Sequence, residues 1–248
     1  MPTNELVTPL PVPALDASRR WLLAQSALLG LGALLLYWSF ERTDLDRRLA
    51  SALFDAELGL FPLRHSWFLE AVMHKAAKQA TYVLVAASLY VCWQGWRGRL
   101  AWLPARNALL AAIGMLAIPL ATSTAKLLTA RYCPWDIIDF GGYAPYLGLF
   151  QAAPQGIKAG QCFPAGHAST GFLWIVWAVA LRPAGLRAAR GALAVGLLAG
   201  AVLGTARMLQ GAHFLSHTLW TLWLAWAASV SLALAVRADL GLGDRRGA

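Results

Sequence analysis

Three short stretches hold most of the residues whose chemistry an apolar chain does not need for packing. They are KLLTARYCPWD (126–136), FPAGHAS (163–169) and ARMLQGAHFLSH (206–217). The first offers Lys126 and Arg131, and the third offers Arg207, His213 and His217. The second offers His167 behind Pro-Ala-Gly at the point where an apolar segment opens. Lys and Arg aimed at one point hold an anion and stabilise charge that grows during group transfer. Imidazoles move protons near neutral pH or act as nucleophiles when a partner fixes the ring. At an expected helix start, free backbone N–H groups at Ala165 and Gly166 would add to the anion's environment, and Gly166 lets backbone approach closely. Each residue also has a plainer reading. Lys126 and Arg131 at a helix boundary can snorkel to a membrane interface, and His167 can sit there as an interfacial or capping side chain. His213 and His217, four apart on one helical face, can share a zinc ion. No H-E-x-x-H and no carboxylate on the same helix accompany them, so no metal and no cofactor is expected.

The elements that must position these residues are membrane helices. Of the 248 residues 58% are hydrophobic and 13% charged, with a mean hydropathy of +0.53, well below the charged fraction of about 25% in soluble proteins. Twelve tryptophans fit membrane–water interfaces. The net charge of +9 comes without a compact basic run, so nucleic acid is not expected as a partner; the arginines flank apolar segments, where they set topology. The expected fold is all-α and polytopic, with about six transmembrane helices near 21–40, 80–96, 102–122, 167–181, 191–206 and 214–236, each approaching the ~20 residues a span requires. Pro119 should kink the third.

Residues 1–18 read as a cytoplasmic tail, 19–238 as one membrane domain and 239–248 as a second tail. The N-terminus lacks a basic signal-peptide start. Arg19, Arg20, Arg97, Arg99, Arg106, Arg182, Arg187, Arg190, Arg237, Arg245 and Arg246 mark the cytoplasmic side, giving N-in, C-in. DLDRRLASALFDAEL (44–58) has helical apolar spacing and reads as an interfacial amphipathic connector. Cys133 and Cys162 share one non-cytoplasmic loop and can pair in an oxidising compartment, while Cys92 lies inside an expected span.

In order, spacing and membrane side, the three stretches resemble the three-part signature of the type 2 phosphatidic acid phosphatase superfamily, K-x6-R-P, P-S-G-H and S-R-x5-H-x3-D. Lys126 and Pro134 match the first motif, Pro164, Gly166 and His167 the second, and Arg207 and His213 the third. Cys133 stands at the first-motif arginine, with Arg131 two residues earlier; Ala165 and Ala206 stand at two serines, and His217 at the closing aspartate. The resemblance implies a membrane-bound lipid phosphatase with His213 as nucleophile, His167 as general acid, and His217 in place of the orienting aspartate. Asp136 or Asp139 is the alternative orienting acid. Substrate phosphate would meet Lys126, Arg131, Arg207, Gly166 and Ala165.

The expected reaction is metal-independent hydrolysis of a lipid phosphomonoester or diphosphate, such as phosphatidic acid, phosphatidylglycerol phosphate, undecaprenyl diphosphate or lipid A, at a bacterial inner membrane with the site facing the periplasm. A phosphotransferase of the same chemistry and a non-catalytic lipid-binding relative remain alternatives, and a homodimer stays open. A transporter is disfavoured because the charges gather at one interface instead of the bilayer midplane.

Overall fold

The computed structural model describes residues 13–242, with side chains from residue 17 onward, so parts of both expected tails (1–12 and 243–248) lie outside the described residues. Eight α-helices appear among the described residues: α1 (Pro13–Glu41), α2 (Leu45–Ser51), α3 (Ala77–Trp96), α4 (Ala105–Leu127), α5 (Gly166–Phe172), α6 (Val176–Ala180), α7 (Leu186–Leu209) and α8 (Leu215–Ala235). A π-helical segment, Phe68–Ala76, runs directly into α3. Four helices are long and apolar enough to cross a membrane, Ala17–Glu41, Ala105–Leu127, Leu186–Leu209 and Leu215–Ala235, and they make the chain an integral membrane protein. Leu28, Leu31, Leu34, Leu35 and Trp38 of α1 are exposed, as expected of a lipid-facing helix. The segments expected to supply two further spans are α3 and the rod formed by α5, a 3-10 turn (Leu173–Ile175) and α6.

The α5–α6 rod lies at the centre of the bundle, with Ala168, Phe172, Ile175, Val176 and Val179 buried against α4, α7 and α8. Its closest neighbour is α7, and the sequence of α7 explains why. Gly196, Gly200 and Gly204 recur every four residues and so fall on one helix face. A β-carbon at Gly200 would lie 2.0 Å from the Phe172 ring, and one at Gly171 would lie 2.4 Å from the backbone of Gly200. Small residues on facing helices let the backbones touch, which is how helices associate where lipid supplies no hydrophobic drive.

Helix ends differ from the sequence expectations in ways that matter for the site. α4 continues past Pro119 to Leu127, so Lys126 sits in its last turn, where a cation suits the negative end of the helix dipole. α7 extends from Leu186 to Leu209, which puts Arg207 in its last turn; one glycine at 191 costs about 1 kcal/mol and does not stop a helix. The amphipathic connector is shorter than the pattern implied. Only Leu45–Ser51 is helical, and Asp46 and Ala50 are its buried residues while Leu49 is exposed. The inward face of α2 thus carries a carboxylate, because Asp46 has partners inside.

A second cluster caps the site end of the bundle. Phe54, Phe61 and Phe140 pack edge-on or tilted at 5.2–5.5 Å between ring centroids, with Tyr132, Ile137 and Phe214 beside them. Gly211 turns the chain between α7 and α8 at φ +71°, and a β-carbon there would fall 2.3 Å from Phe61. Glycine alone satisfies both demands.

Candidate active site

Lys126 closes α4, His167 opens α5, Arg207 closes α7 and His213 stands just before α8. The chain reverses at each connection, so these four groups converge at one end of the bundle. Lys126 lies against Gly166, whose missing side chain leaves room for it: a β-carbon there would be 3.2 Å from the lysine Cε. The Lys126 Nζ donates to the Gln161 carbonyl at 3.2 Å. Arg207 donates to Gln210 Oε1 at 2.7 Å, stacks its guanidinium 5.7 Å from the Trp135 ring centroid, and stands 3.9 Å from Glu70. Its Nε is buried without a partner, and a buried unpaired donor is costly unless it serves something.

His213 is buried, and burial pushes its pKa well below the ordinary histidine value, with Lys126, Arg207 and His167 adding positive charge nearby. The neutral form carries a free lone pair, as a nucleophile needs. Its Nδ1 lies 3.4 Å from the Nδ1 of His217, at the one-turn spacing that a helix gives to positions four apart. His217 is fully buried, edge-on to Phe163 and Phe214, and its Nε2 has no partner. Neither alternative acid is seen with this pair: Asp139 meets Arg47 at 3.4 Å, and Asp136 accepts the Tyr143 and Ala144 N–H groups through its backbone carbonyl.

Arg131 is placed differently from Lys126 and Arg207. Its side chain is 1% exposed and its guanidinium pairs with Glu41 and Asp46, at 3.4 Å each. It donates to the Tyr146 hydroxyl at 2.7 Å and lies between the Phe163 and Tyr146 rings. Asp46 in turn accepts the Ser216 N–H at 2.9 Å and the Ser216 hydroxyl. This carboxylate satisfies an N–H in the first turn of α8, the helix whose start carries the histidine pair. The network ties α1, α2 and the disulfide loop to α8. Ala165 is also engaged, since its N–H donates to the His217 carbonyl at 3.1 Å. α5 runs only seven residues before its 3-10 turn, so the side-chain cations are the main source of positive charge at the site.

Cys133 and Cys162 are joined by a disulfide across 29 residues. It fastens the loop after α4 to the segment before α5. The Cys162 Sγ lies 3.4 Å from His213 Nδ1, and Cys162, His213 and His217 hold their donor atoms within 4.8 Å of one another. Among the described residues this is the side-chain group nearest to a metal set, and one of its members is a disulfide sulfur.

Three groups near the site went unread in the sequence. His74, on the π-helical segment, stacks on His167 with centroids 3.9 Å apart, and its buried Nδ1 has no partner. Burial first, then Arg207, lowers its pKa. Glu70 and Lys78 flank it on the same rod. The available signal was the four-residue spacing of His74 and Lys78 ahead of an apolar run. A cleft of about 450 Å³ opens between α3, α4 and α5, lined by Lys78, Lys126, Gly166 and His167 and by apolar side chains such as Tyr82, Val85, Met115 and Leu173, with the hydroxyls of Thr81, Ser123, Ser169 and Thr170 among them.

No similar curated protein and no similar solved structure was found. A family sequence model, described as the PAP2 superfamily, matches residues 107–239, which spans α4 to α8 and includes Lys126, His167, Arg207, His213 and His217. Members of that superfamily are in general phosphatases acting on phosphate esters. With more than half of its length covered by that match, the chain belongs to the PAP2 superfamily.

Proposed function

We propose that this protein is a membrane lipid phosphatase that hydrolyses a phosphomonoester or diphosphate through a phosphohistidine on His213. The observation that carries the reading is that Arg207 and His213 come close to Lys126 and His167 at one end of the bundle, and that Lys126 and His167 line a cleft that continues along largely apolar side chains. The phosphate lies against Lys126 and Arg207, whose charges offset those on the equatorial oxygens as the transition state forms. The lipid chain lies along the apolar part of the cleft, in the bilayer.

His213 Nε2 attacks phosphorus while the bond to the leaving oxygen breaks, and His167 delivers a proton to that oxygen. His213 Nδ1–H donates to His217 Nδ1, which fixes the ring and takes part of the positive charge of the phosphoimidazolium. Water then attacks phosphorus and gives a proton to His167, the P–N bond breaks, and inorganic phosphate leaves. No metal is required by these steps, because Lys126 and Arg207 provide the charge. His74, stacked on His167, adds a second imidazole through which the acid's proton can be exchanged.

The site faces the non-cytoplasmic side under the arginine-based orientation, and a bacterial inner membrane is the proposed location. The test is phosphate release by the purified protein in detergent, with wild type and His213→Ala compared on phosphatidic acid, phosphatidylglycerol phosphate, undecaprenyl diphosphate and lipid A. Release by wild type alone supports the reading. Absence of release on every lipid, from folded protein, moves the assignment to a phosphotransferase lacking its acceptor or to a lipid-binding relative.

A further inference from the structure

We infer that reduction of the Cys133–Cys162 disulfide converts the back of the active site into a site for a zinc-class divalent cation, held by Cys162, His213 and His217. A cation there shuts off the nucleophile. The geometry is already close to what such an ion requires. Zn–N bonds of about 2.0–2.1 Å and Zn–S bonds of about 2.3 Å put tetrahedral ligand atoms roughly 3.3–3.6 Å apart. His213 Nδ1 and His217 Nδ1 are 3.4 Å apart, and Cys162 Sγ is 3.4 Å from His213 Nδ1. All three donor atoms fit within 4.8 Å. His217 Nε2 is buried without a partner, so the ring proton can stay there while Nδ1, which otherwise accepts from His213, turns its lone pair to the cation. What withholds the site in the oxidised protein is the covalent state of Cys162, since a disulfide sulfur carries no thiolate charge.

The chemistry balances with a dithiol as reductant. Cys133 is partly exposed and Cys162 is buried, so a thiolate attacks the Cys133 sulfur. The S–S bond breaks, and its electron pair leaves on Cys162 as a thiolate beside the two imidazoles. The second thiol of the reductant then releases Cys133 and closes the reductant's own disulfide, for a net transfer of two electrons and two protons. A divalent cation binds the Cys162 thiolate, releasing the proton it would otherwise hold, and takes the Nδ1 lone pairs of both histidines. A neutral imidazole has one such lone pair. With Nδ1 of His213 on the metal, the ring proton resides on Nε2, the atom that would attack phosphorus.

The silencing half of this inference rests on the proposed phosphohistidine chemistry, whereas the metal site does not, so the two are read separately. Co2+ is the probe, because a tetrahedral cobalt–thiolate gives visible bands and a near-ultraviolet charge-transfer band. Full-length protein in detergent should show no such band when oxidised. It should bind a single Co2+ with the thiolate band after dithiol reduction and removal of the reductant. Cys133→Ser, which leaves Cys162 free, should do so without reductant, and Cys133→Ser/Cys162→Ser should lose the band. Phosphate release should vanish in the Zn2+-loaded reduced protein and return with EDTA.

Elution as a monodisperse species establishes that each form is folded, and if Cys133→Ser is not, the reduced wild type decides. A reduced, folded wild type without the thiolate band overturns the site, as does a band that survives in the double serine variant. A bound metal that leaves phosphate release unchanged overturns the silencing.

Discussion

Replacing Arg131 by methionine removes the positive centre of a buried network while keeping an unbranched side chain between Phe163 and Tyr146. Arg131 and Asp46 are each 1% exposed, and the guanidinium meets Asp46 and Glu41 at 3.4 Å and Tyr146 at 2.7 Å. Breaking a buried pair by deleting one partner leaves an uncompensated charge and costs about 3–5 kcal/mol. At roughly 2–4 °C per kcal/mol for a chain of this size, the melting midpoint should fall by roughly 6–20 °C. Arg131→Met/Asp46→Asn should be less destabilised than Arg131→Met, because the carboxamide removes the charge at the more deeply buried of the two carboxylates and keeps an acceptor for the Ser216 N–H. The assay is thermal unfolding of purified protein in detergent, paired with KM for phosphate release from mixed micelles. A normal midpoint with a raised KM would refute the reasoning and return Arg131 to the phosphate.

Other expectations come from neighbouring features. Lys126→Ala should weaken phosphate release by at least about tenfold through kcat/KM, since one cation of the pair against the phosphate is lost; unchanged kinetics would remove it from the site. His217→Asp should retain or raise activity if position 217 orients His213, because a carboxylate stabilises the imidazolium more strongly than a neutral ring does; a folded but inactive variant would show that the histidine is used differently. Burial holds His213, and to a lesser degree His74, below the ordinary histidine value, so the unfolded chain binds more protons than the folded one as pH drops under about 6.5. Stability should therefore decline as pH falls below that value, which midpoints measured across the range will show; a midpoint that rises on acidification would contradict the assignment. Gly200→Ile should drive α7 away from Phe172 and lower both stability and turnover, as a β-carbon there already overlaps the ring; normal melting would mean that the two helices can separate without consequence.

The residues that repeat a spacing were legible in the sequence, and those that depend on a fold-over contact were not. Lys126, His167, Arg207 and His213 could be collected because each sits at the end of an apolar run, and reversal of the chain at every loop puts those ends together. The membrane character of α1, α4, α7 and α8 followed from length and composition alone. Arg131, expected at the phosphate, pairs with Asp46 and Glu41 instead of standing beside Lys126, and nothing local says that Asp46, 85 residues earlier, will reach it. Asp46 was hidden for the converse reason, lying in a pattern that reads as amphipathic with its charge outward. His74 escaped notice because it belongs to the long segment before α3, and only packing of the π-helical turns brings its ring onto His167. The sites that sequence spacing missed are therefore the ones built between α2, the π-helical segment and the core of the matched region, two of them from residues outside 107–239.

The central claim is that His213 carries the phosphoryl group. The direct measurement is rapid quench of the detergent-purified protein with a lipid phosphate labelled at phosphorus, followed by peptide mapping under alkaline conditions that preserve phosphohistidine. The account requires an acid-labile label on the peptide containing His213, formed before phosphate appears and missing from His213→Ala. Turnover without any labelled protein, or label retained by the His213→Ala variant, would contradict it.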